Sequence, residues 1–281
     1  MQLKDSKGVS RNDITVTARD GHKIAVRVYQ PDPSPGSAPL VIFLHGGGFV
    51  LGGLENEELL CTLFAQRLKV VVLNVDYRLA PENPFPAAPN DAWDVVKWAA
   101  GNASQVGADP SKGFVVGGVS AGGNLAAVCA HLARDEKLSP PITGSMLQIP
   151  MVLQLDSIEE KYRPEINSYE QNKDAPVLSQ KSIDLFEGLY KADHKSHLQN
   201  LFAPPTNFSG LPPTYFQICG MDPLRDEGLL YERLLREEYG TKTKLDVYGG
   251  LPHGFWSFAP EMSKSKKAIE DAVEGIKWLL G

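Results

Sequence analysis

Residues 113–124 read Gly113-Phe114-Val115-Val116-Gly117-Gly118-Val119-Ser120-Ala121-Gly122-Gly123-Asn124. Phe114 to Val116 form a short apolar run of the kind that builds a buried strand, and the residues from Gly122 to Arg134 are helix-forming. Between them, Gly118-Val119-Ser120-Ala121-Gly122 fits the pattern G-x-S-x-G. Glycines two places before and after the serine let the strand turn sharply into the helix with backbones in close contact. The Ser120 hydroxyl then projects at the carboxyl end of the strand, near a helix N-terminus where negative charge is favoured. A glycine-rich turn of this kind can also hold phosphate. This one lacks the lysine of a phosphate loop and does not occupy the first βα unit of a dinucleotide fold, so Ser120 reads as a nucleophile.

The same alternation extends along the chain. PLVIFLHGGG, KVVVLNVDY, GFVVGGVS, GSMLQIPMV, PPTYFQICG and KLDVYGG are short apolar runs separated by the helical stretches Glu57 to Leu68, Pro89 to Ala100, Gly122 to Arg134, Glu227 to Tyr239 and Lys264 to Leu280. That order predicts an α/β fold, with a mostly parallel central sheet flanked by helices. Ile14 to Thr17 and Lys23 to Tyr29 alternate in polarity around Arg19-Asp20-Gly21-His22 and read as an antiparallel hairpin, followed by a turn-rich link from Pro31 to Pro39. Residues 151–205 break the rhythm with charge, tyrosines and prolines, and are expected to form an inserted helical cap. Within it, Ser179 to Tyr190 has an N-cap serine and apolar residues at Ile183, Phe186 and Leu189, the spacing of an amphipathic helix. The expected division is a short N-terminal cap segment, 1–12, a core formed by 13–150 and 206–281, and the cap, 151–205.

A serine hydroxyl attacks only when a base removes its proton and the resulting oxyanion is stabilised. His45-Gly46-Gly47-Gly48 follows the strand PLVIFL, where glycines leave backbone N–H groups open to a substrate oxygen. The amides of Gly47, Gly48 and Ala121 are therefore the candidate oxyanion hole, with His45 bracing the loop. Where such an elbow carries a triad, the partners follow as serine, acid, histidine, which sets aside His22 and His45. His131 lies roughly 16 Å along the following helix at 1.5 Å per residue. His194 and His197, three residues apart in the cap, have no nearby cysteine or carboxylate cluster to complete a metal site. His253, in the loop Gly249 to Gly254, is the expected base. Asp222, between the strand TYFQIC and Pro223, is the expected acid; Asp226 reads as a first-turn helix acid and Asp246 as a strand residue.

Composition narrows the remaining classes. Hydrophobic residues make up 42% of the 281, charged residues 22%, and the net charge is −6, without a dense basic stripe. A disordered chain and a nucleic-acid partner are excluded. Cys61, Cys129 and Cys219 sit in apolar runs and read as buried thiols in a reducing compartment. The N-terminus lacks the apolar stretch of a secretory signal, and no run of about 18 apolar residues appears, so the expectation is a cytoplasmic protein with no membrane segment.

HGGGF (45–49), DYRLAPE (76–82), GVSAGGN (118–124), DPLRDEG (222–228) and HGF (253–255), in that order, resemble the hormone-sensitive lipase-like branch of the α/β-hydrolases over nearly the whole chain from Ile14. The resemblance implies an α/β-hydrolase fold, hydrolysis of short- to medium-chain carboxylic esters through an acyl-enzyme, no metal, no diffusible cofactor, and a homodimer. The same triad also serves lactonases, deacetylases and cyclising enzymes of secondary metabolism. Receptors of this family replace the catalytic histidine, which here is present as His253. Tyr77, Arg78 and Glu82 are expected to fix the loop facing the oxyanion strand, and Trp93 and Trp98 to belong to the core. Tyr162, Tyr169, Phe186, Tyr190 and Phe202, with Trp256, either line an apolar pocket or fill the cap. Val119 stands where many relatives carry an acidic residue, which bears on the acyl pocket. The short N-terminal segment implies an unusually open pocket or a cap resting on 151–205 alone.

Overall fold

A computed structural model describes residues 7–281. Its centre is an eight-stranded sheet: β1 (Val9–Thr17), β2 (Lys23–Pro31), β3 (Leu40–Leu44), β4 (Val71–Asp76), β5 (Phe114–Val119), β6 (Gly144–Gln148), β7 (Thr214–Met221) and β8 (Thr243–Pro252). The spatial order is β1-β2-β4-β3-β5-β6-β7-β8. From β4 to β8 all neighbours run parallel, while β2 is antiparallel to both β1 and β4.

The central strands are apolar on both sides because both faces are covered. In β3, Leu40, Ile42 and Leu44 point to one layer and Val41 and Phe43 to the other. The first layer is packed by α2 (Ala87–Asn102), α3 (Ala121–Asp135) and α6 (Arg225–Arg233) through Val95, Leu125 and Leu230. The second is packed by α1 (Glu58–Leu68) and α8 (Ser263–Leu280) through Cys61, Phe64, Val273 and Ile276. Each such fully buried aliphatic or aromatic side chain contributes about 1.5–3 kcal/mol.

Residues 149–213 leave the sheet between β6 and β7 and carry α4 (Ser168–Gln171) and α5 (Gln180–Tyr190). Ser179 caps α5 through the Ser182 N–H, and Lys191 ends it in the left-handed conformation. Tyr162 and Phe202 meet edge to face inside this segment at 5.9 Å and are buried, so they fill the cap.

Three expectations need correction. Of the expected N-terminal segment 1–12, residues 1–6 lie outside the described residues and Val9 to Asn12 belong to β1, paired with Val28 to Pro31. Ser10 to Asp13 are all exposed on this edge strand, so no alternation marks them as strand. The helix expected over Glu227 to Tyr239 starts at Arg225 and passes at Leu234–Glu238 into a π-helical turn. Glu82 is exposed and forms no ion pair among the described residues; Arg78 instead holds its loop through Asp91, by Nε and Nη2 at 2.9 and 2.7 Å, and through Asp20.

His131 is enclosed by α3, Phe208 and Tyr231, with Nε2 at 2.9 Å from the Tyr231 hydroxyl. Burial, assisted by nearby Arg134, pushes its pKa down to about 3 from 6.5. Between those values the unfolded chain binds a proton that the folded one refuses, so stability falls as pH drops through this window. The expected result is that His131→Gln, which stays neutral, shows a shallower loss of denaturation midpoint from pH 6.5 to pH 4 than wild type. Parallel curves for the two proteins would remove His131 as a source of acid lability.

Candidate active site

Ser120 closes the turn between β5 and α3 with φ 55° and ψ −117°, a conformation unfavourable for a residue with a side chain. Such strain costs on the order of 1–3 kcal/mol and persists only where the surroundings fix it. Here the Ser120 N–H donates to the Gln148 carbonyl at 2.8 Å and its carbonyl accepts from the Asn124 N–H at 3.0 Å. Gly122 is required by space: a Cβ there would fall onto the carbonyl oxygens of Leu44 and His45, so α3 meets the end of β3 in direct backbone contact.

The chains leaving β7 and β8 run side by side, with Met221 paired to Pro252, and deliver Asp222 and His253 to the same edge as Ser120. His253 Nε2 lies 2.9 Å from Ser120 Oγ, and His253 Nδ1 lies 2.7 Å from Asp222 Oδ2. The partners dictate the tautomer: Nδ1–H donates to the carboxylate and Nε2 accepts from the serine hydroxyl. Asp222 Oδ1 accepts the Leu224 N–H at 2.9 Å, so both carboxylate oxygens are held, and the residue is buried.

Around the serine lies a cavity of about 330 Å³, large enough for a small organic molecule. Gly46 to Gly48, Ser120 and Ala121 line it together, so the three residues whose amides the sequence singles out border the same cavity. The loop is braced from behind. The ring of His45 stacks on Tyr77 at 4.2 Å, His45 Nδ1 lies 2.8 Å from the Gly46 carbonyl, and the Tyr77 hydroxyl donates to the His45 carbonyl at 2.7 Å. Gly48 abuts the cap: a Cβ there would collide with the Phe186 ring of α5. Tyr190, at the end of α5, stacks on Phe49 at 4.1 Å. Val119, Phe186 and Tyr190 all line the cavity, as do Ile149, Met151, Leu178 and Ile183. Leu51, Val177 and Phe258 also line it and are exposed by 58%, 56% and 52%, which places the mouth of the cavity at an apolar rim.

Trp256 does not belong to this lining. In α7 (Phe255–Phe258) its ring turns inward against Phe255 and Tyr248, beneath β8, while Ser257 and Phe258 face the cavity. Tyr169 is likewise behind the wall, donating its hydroxyl to Glu227 at 2.6 Å. The other histidines are placed apart from the site: His194 against Asp156 at 2.8 Å, and His197 on the Ala203 carbonyl at 2.6 Å. Asp226 accepts the N–H groups of Asn167 and Ser168 and so anchors α4. Asp246 accepts the Tyr215 hydroxyl on the sheet.

Sequence reasoning passed over Asn56 and Ser257, which line the cavity, and four larger polar residues there, Glu57, Gln154, Glu187 and Gln199. Glu57 looked like an ordinary acid at a helix start, and the other three belong to a cap without a sequence pattern to orient them. Burial pushes the Glu57 carboxyl up to about 7 and raises Glu187 as well.

The family profile of the alpha/beta hydrolase fold matches residues 41–257. This chain is an α/β-hydrolase. Within that family the hydrolase sits in the hormone-sensitive lipase-like branch, as its motifs indicate. It is 42% identical to an AB hydrolase superfamily protein of Schizosaccharomyces pombe, over 97% of this chain and 80% of that protein. It is 37% identical to the versiconal hemiacetal acetate esterase of Dothistroma septosporum, over 95% and 81% of the two chains. The crystal structure of vibralactone cyclase superposes with a TM-score of 0.94 at 36% identity, covering 99% of this chain and 82% of the other.

Because the elbow packs backbone against backbone, Gly122→Ala is expected to displace the loop 45–48 as well as Ser120. Its denaturation midpoint should fall, and labelling of the serine by a fluorophosphonate should slow by at least about tenfold, since a displacement of about 1 Å in an active site can cost 100-fold. Wild-type labelling and stability would show that the contact is not tight.

Proposed function

We propose that this hydrolase is a serine carboxylesterase in which Ser120 is the nucleophile, His253 the general base and acid, and Asp222 the group that orients His253. The observation that carries this reading is the continuous Ser120–His253–Asp222 relay, with its 2.9 and 2.7 Å contacts, opening into an apolar cavity. His253 takes the Ser120 proton as Oγ attacks the ester carbonyl, then returns it to the leaving alcohol. Water activated by the same imidazole releases the acid from the acyl-enzyme. The amides of Gly47, Gly48 and Ala121 receive the negative charge that develops on the carbonyl oxygen, and Asp222 stabilises the imidazolium without taking its proton.

A 330 Å³ cavity lined largely by aliphatic and aromatic side chains suits short to medium acyl groups. The likeness to an esterase of a hemiacetal acetate supports the same class of bond. A second reading, intramolecular capture of the acyl-enzyme to give a lactone, is favoured by the 0.94 superposition on vibralactone cyclase. Product analysis separates the two, because hydrolysis incorporates solvent oxygen into the acid and cyclisation does not. Three unpaired buried cysteines support a cytoplasmic location, and among the described residues no helix is long and apolar enough to cross a membrane. The homodimer rests on family resemblance.

Wild-type protein should be labelled stoichiometrically by a fluorophosphonate and hydrolyse p-nitrophenyl esters fastest at short chain lengths. Ser120→Ala should lose labelling and lower kcat by on the order of 10⁵–10⁶ while remaining folded. Asp222→Asn should cost about 10⁴ in kcat through the wrong imidazole tautomer. A folded wild type that resists the label and turns over no ester would overturn the esterase reading.

A further inference from the structure

Among the described residues, the cavity wall contains two carboxyls, Glu57 and Glu187, and not one lysine or arginine. An ester hydrolase that acts only on bare alkyl chains needs neither acid in such a place, since burying a carboxyl without a partner opposes folding. Glu57 stands at the start of α1, yet its side chain does not cap that helix. The Gly46 N–H, in the oxyanion loop, faces it and offsets only part of the effect of burial. Of the other titratable groups around it, Cys61 comes from α1 and Tyr77 follows β4, and burial keeps both neutral. Glu187, on the α5 face that carries Ile183, Phe186 and Tyr190, has Asp184 and Asp156 nearby, with His194 as the opposing influence. The cavity thus combines apolar walls with acceptors for which its described lining supplies no lysine or arginine.

We propose that Glu57 is a specificity-determining residue for the esterase reaction. Its carboxyl receives a hydrogen-bond-donating group, hydroxyl or ammonium, borne by the ester, and together with Glu187 it rejects esters that carry a carboxylate. The physical basis is complementarity. A donor entering the cavity adds a partner to a half-buried carboxyl that otherwise faces the Gly46 N–H, and a hydrogen bond to a charged group is stronger than one between neutral groups. A carboxylate would add a third acid to a wall whose described lining has no lysine or arginine, and like charges brought into contact repel. Proximity to the Gly46 amide puts this selection beside the oxyanion loop, where the fit of the substrate decides whether its carbonyl reaches Ser120.

The proposal rests on the esterase reading, and the test keeps the two apart. Phenyl acetates bearing a methyl, hydroxymethyl, aminomethyl or carboxylate substituent on the ring are compared by kcat/KM. A second series carries the same substituents on the acyl half, as phenylacetate esters. In at least one series wild type should prefer a donor-bearing ester to the methyl ester by about tenfold and disfavour the carboxylate by about 100-fold. Glu57→Gln should bring the donor and methyl esters within about threefold of each other and raise the relative rate of the carboxylate ester by about tenfold; Glu57→Asp should keep the wild-type order. The preference for the aminomethyl ester over methyl should grow as pH rises through about 7, as Glu57 ionises. Ratios within each enzyme are compared, and fluorophosphonate labelling confirms that the serine of each variant reacts. Equal rates for all substituents in wild type, or unchanged ratios in Glu57→Gln, overturn the proposal. Absence of both labelling and turnover in wild type overturns the esterase reading itself.

Discussion

The unfavourable backbone at Ser120 is the constraint on which the rest of the site depends. A serine with φ 55° is held there because β5 ends among parallel neighbours and α3 begins against the carbonyls of Leu44 and His45. The hydrogen bond from the Ser120 N–H to Gln148 ties the same residue to the end of β6. Three strands therefore determine one turn. The turn in turn fixes where the loop 45–48 can lie, since α3 and that loop share a backbone contact. The cost of the strained residue is of order 1–3 kcal/mol, small beside the apolar burial on both faces of the sheet.

The cap is attached through the acid as much as over the serine. Asn172 donates to the Asp222 carbonyl at 3.2 Å, Ser168 Oγ to the Pro223 carbonyl at 2.6 Å, and Asp226 receives two backbone amides of the cap. Glu227 accepts the Tyr169 hydroxyl and the N–H of Val152, joining α6 to the cap and to the chain leaving β6. Asn124, one turn after Ser120, donates to the Met151 and Gln199 carbonyls at 2.7 Å each and so ties together two parts of the inserted segment. The motif DPLRDEG is thus a joint: Asp222 faces His253, while Asp226 and Glu227 hold the cap that shapes the cavity.

Polarity in the site is divided by element. The sheet edges supply the relay and the loop amides, whose positions are set by strand register. The cap and the residues at the start of α1 supply much of the wall, mostly apolar, with Asn56, Glu57, Gln154, Glu187 and Gln199 among its polar points. Reaction type is consequently a property of the sheet, and substrate choice a property of what is laid over it. A similar catalytic frame can serve an esterase and a cyclase for this reason.

The sequence by itself determined the alternation of strands and helices, the elbow at Ser120 and the order in which acid and histidine follow it. These are local or sequential properties: a period of two or 3.6 residues, a glycine where a backbone must turn, a carboxylate beside a proline. It also marked the helix Ser179 to Tyr190, whose amphipathic spacing survives in α5. Only the tertiary structure decided what each cap residue faces. Phe186 and Tyr190 reach the cavity while Trp256, three residues from His253, turns beneath β8. The edge position of β1 was equally hidden, because a strand exposed along most of its length needs no alternation. Glu57 is the sharpest instance. At a helix start an acid is ordinary, and only the approach of the loop 45–48, brought from a different strand, turns it into a half-buried carboxyl on the wall of a cavity.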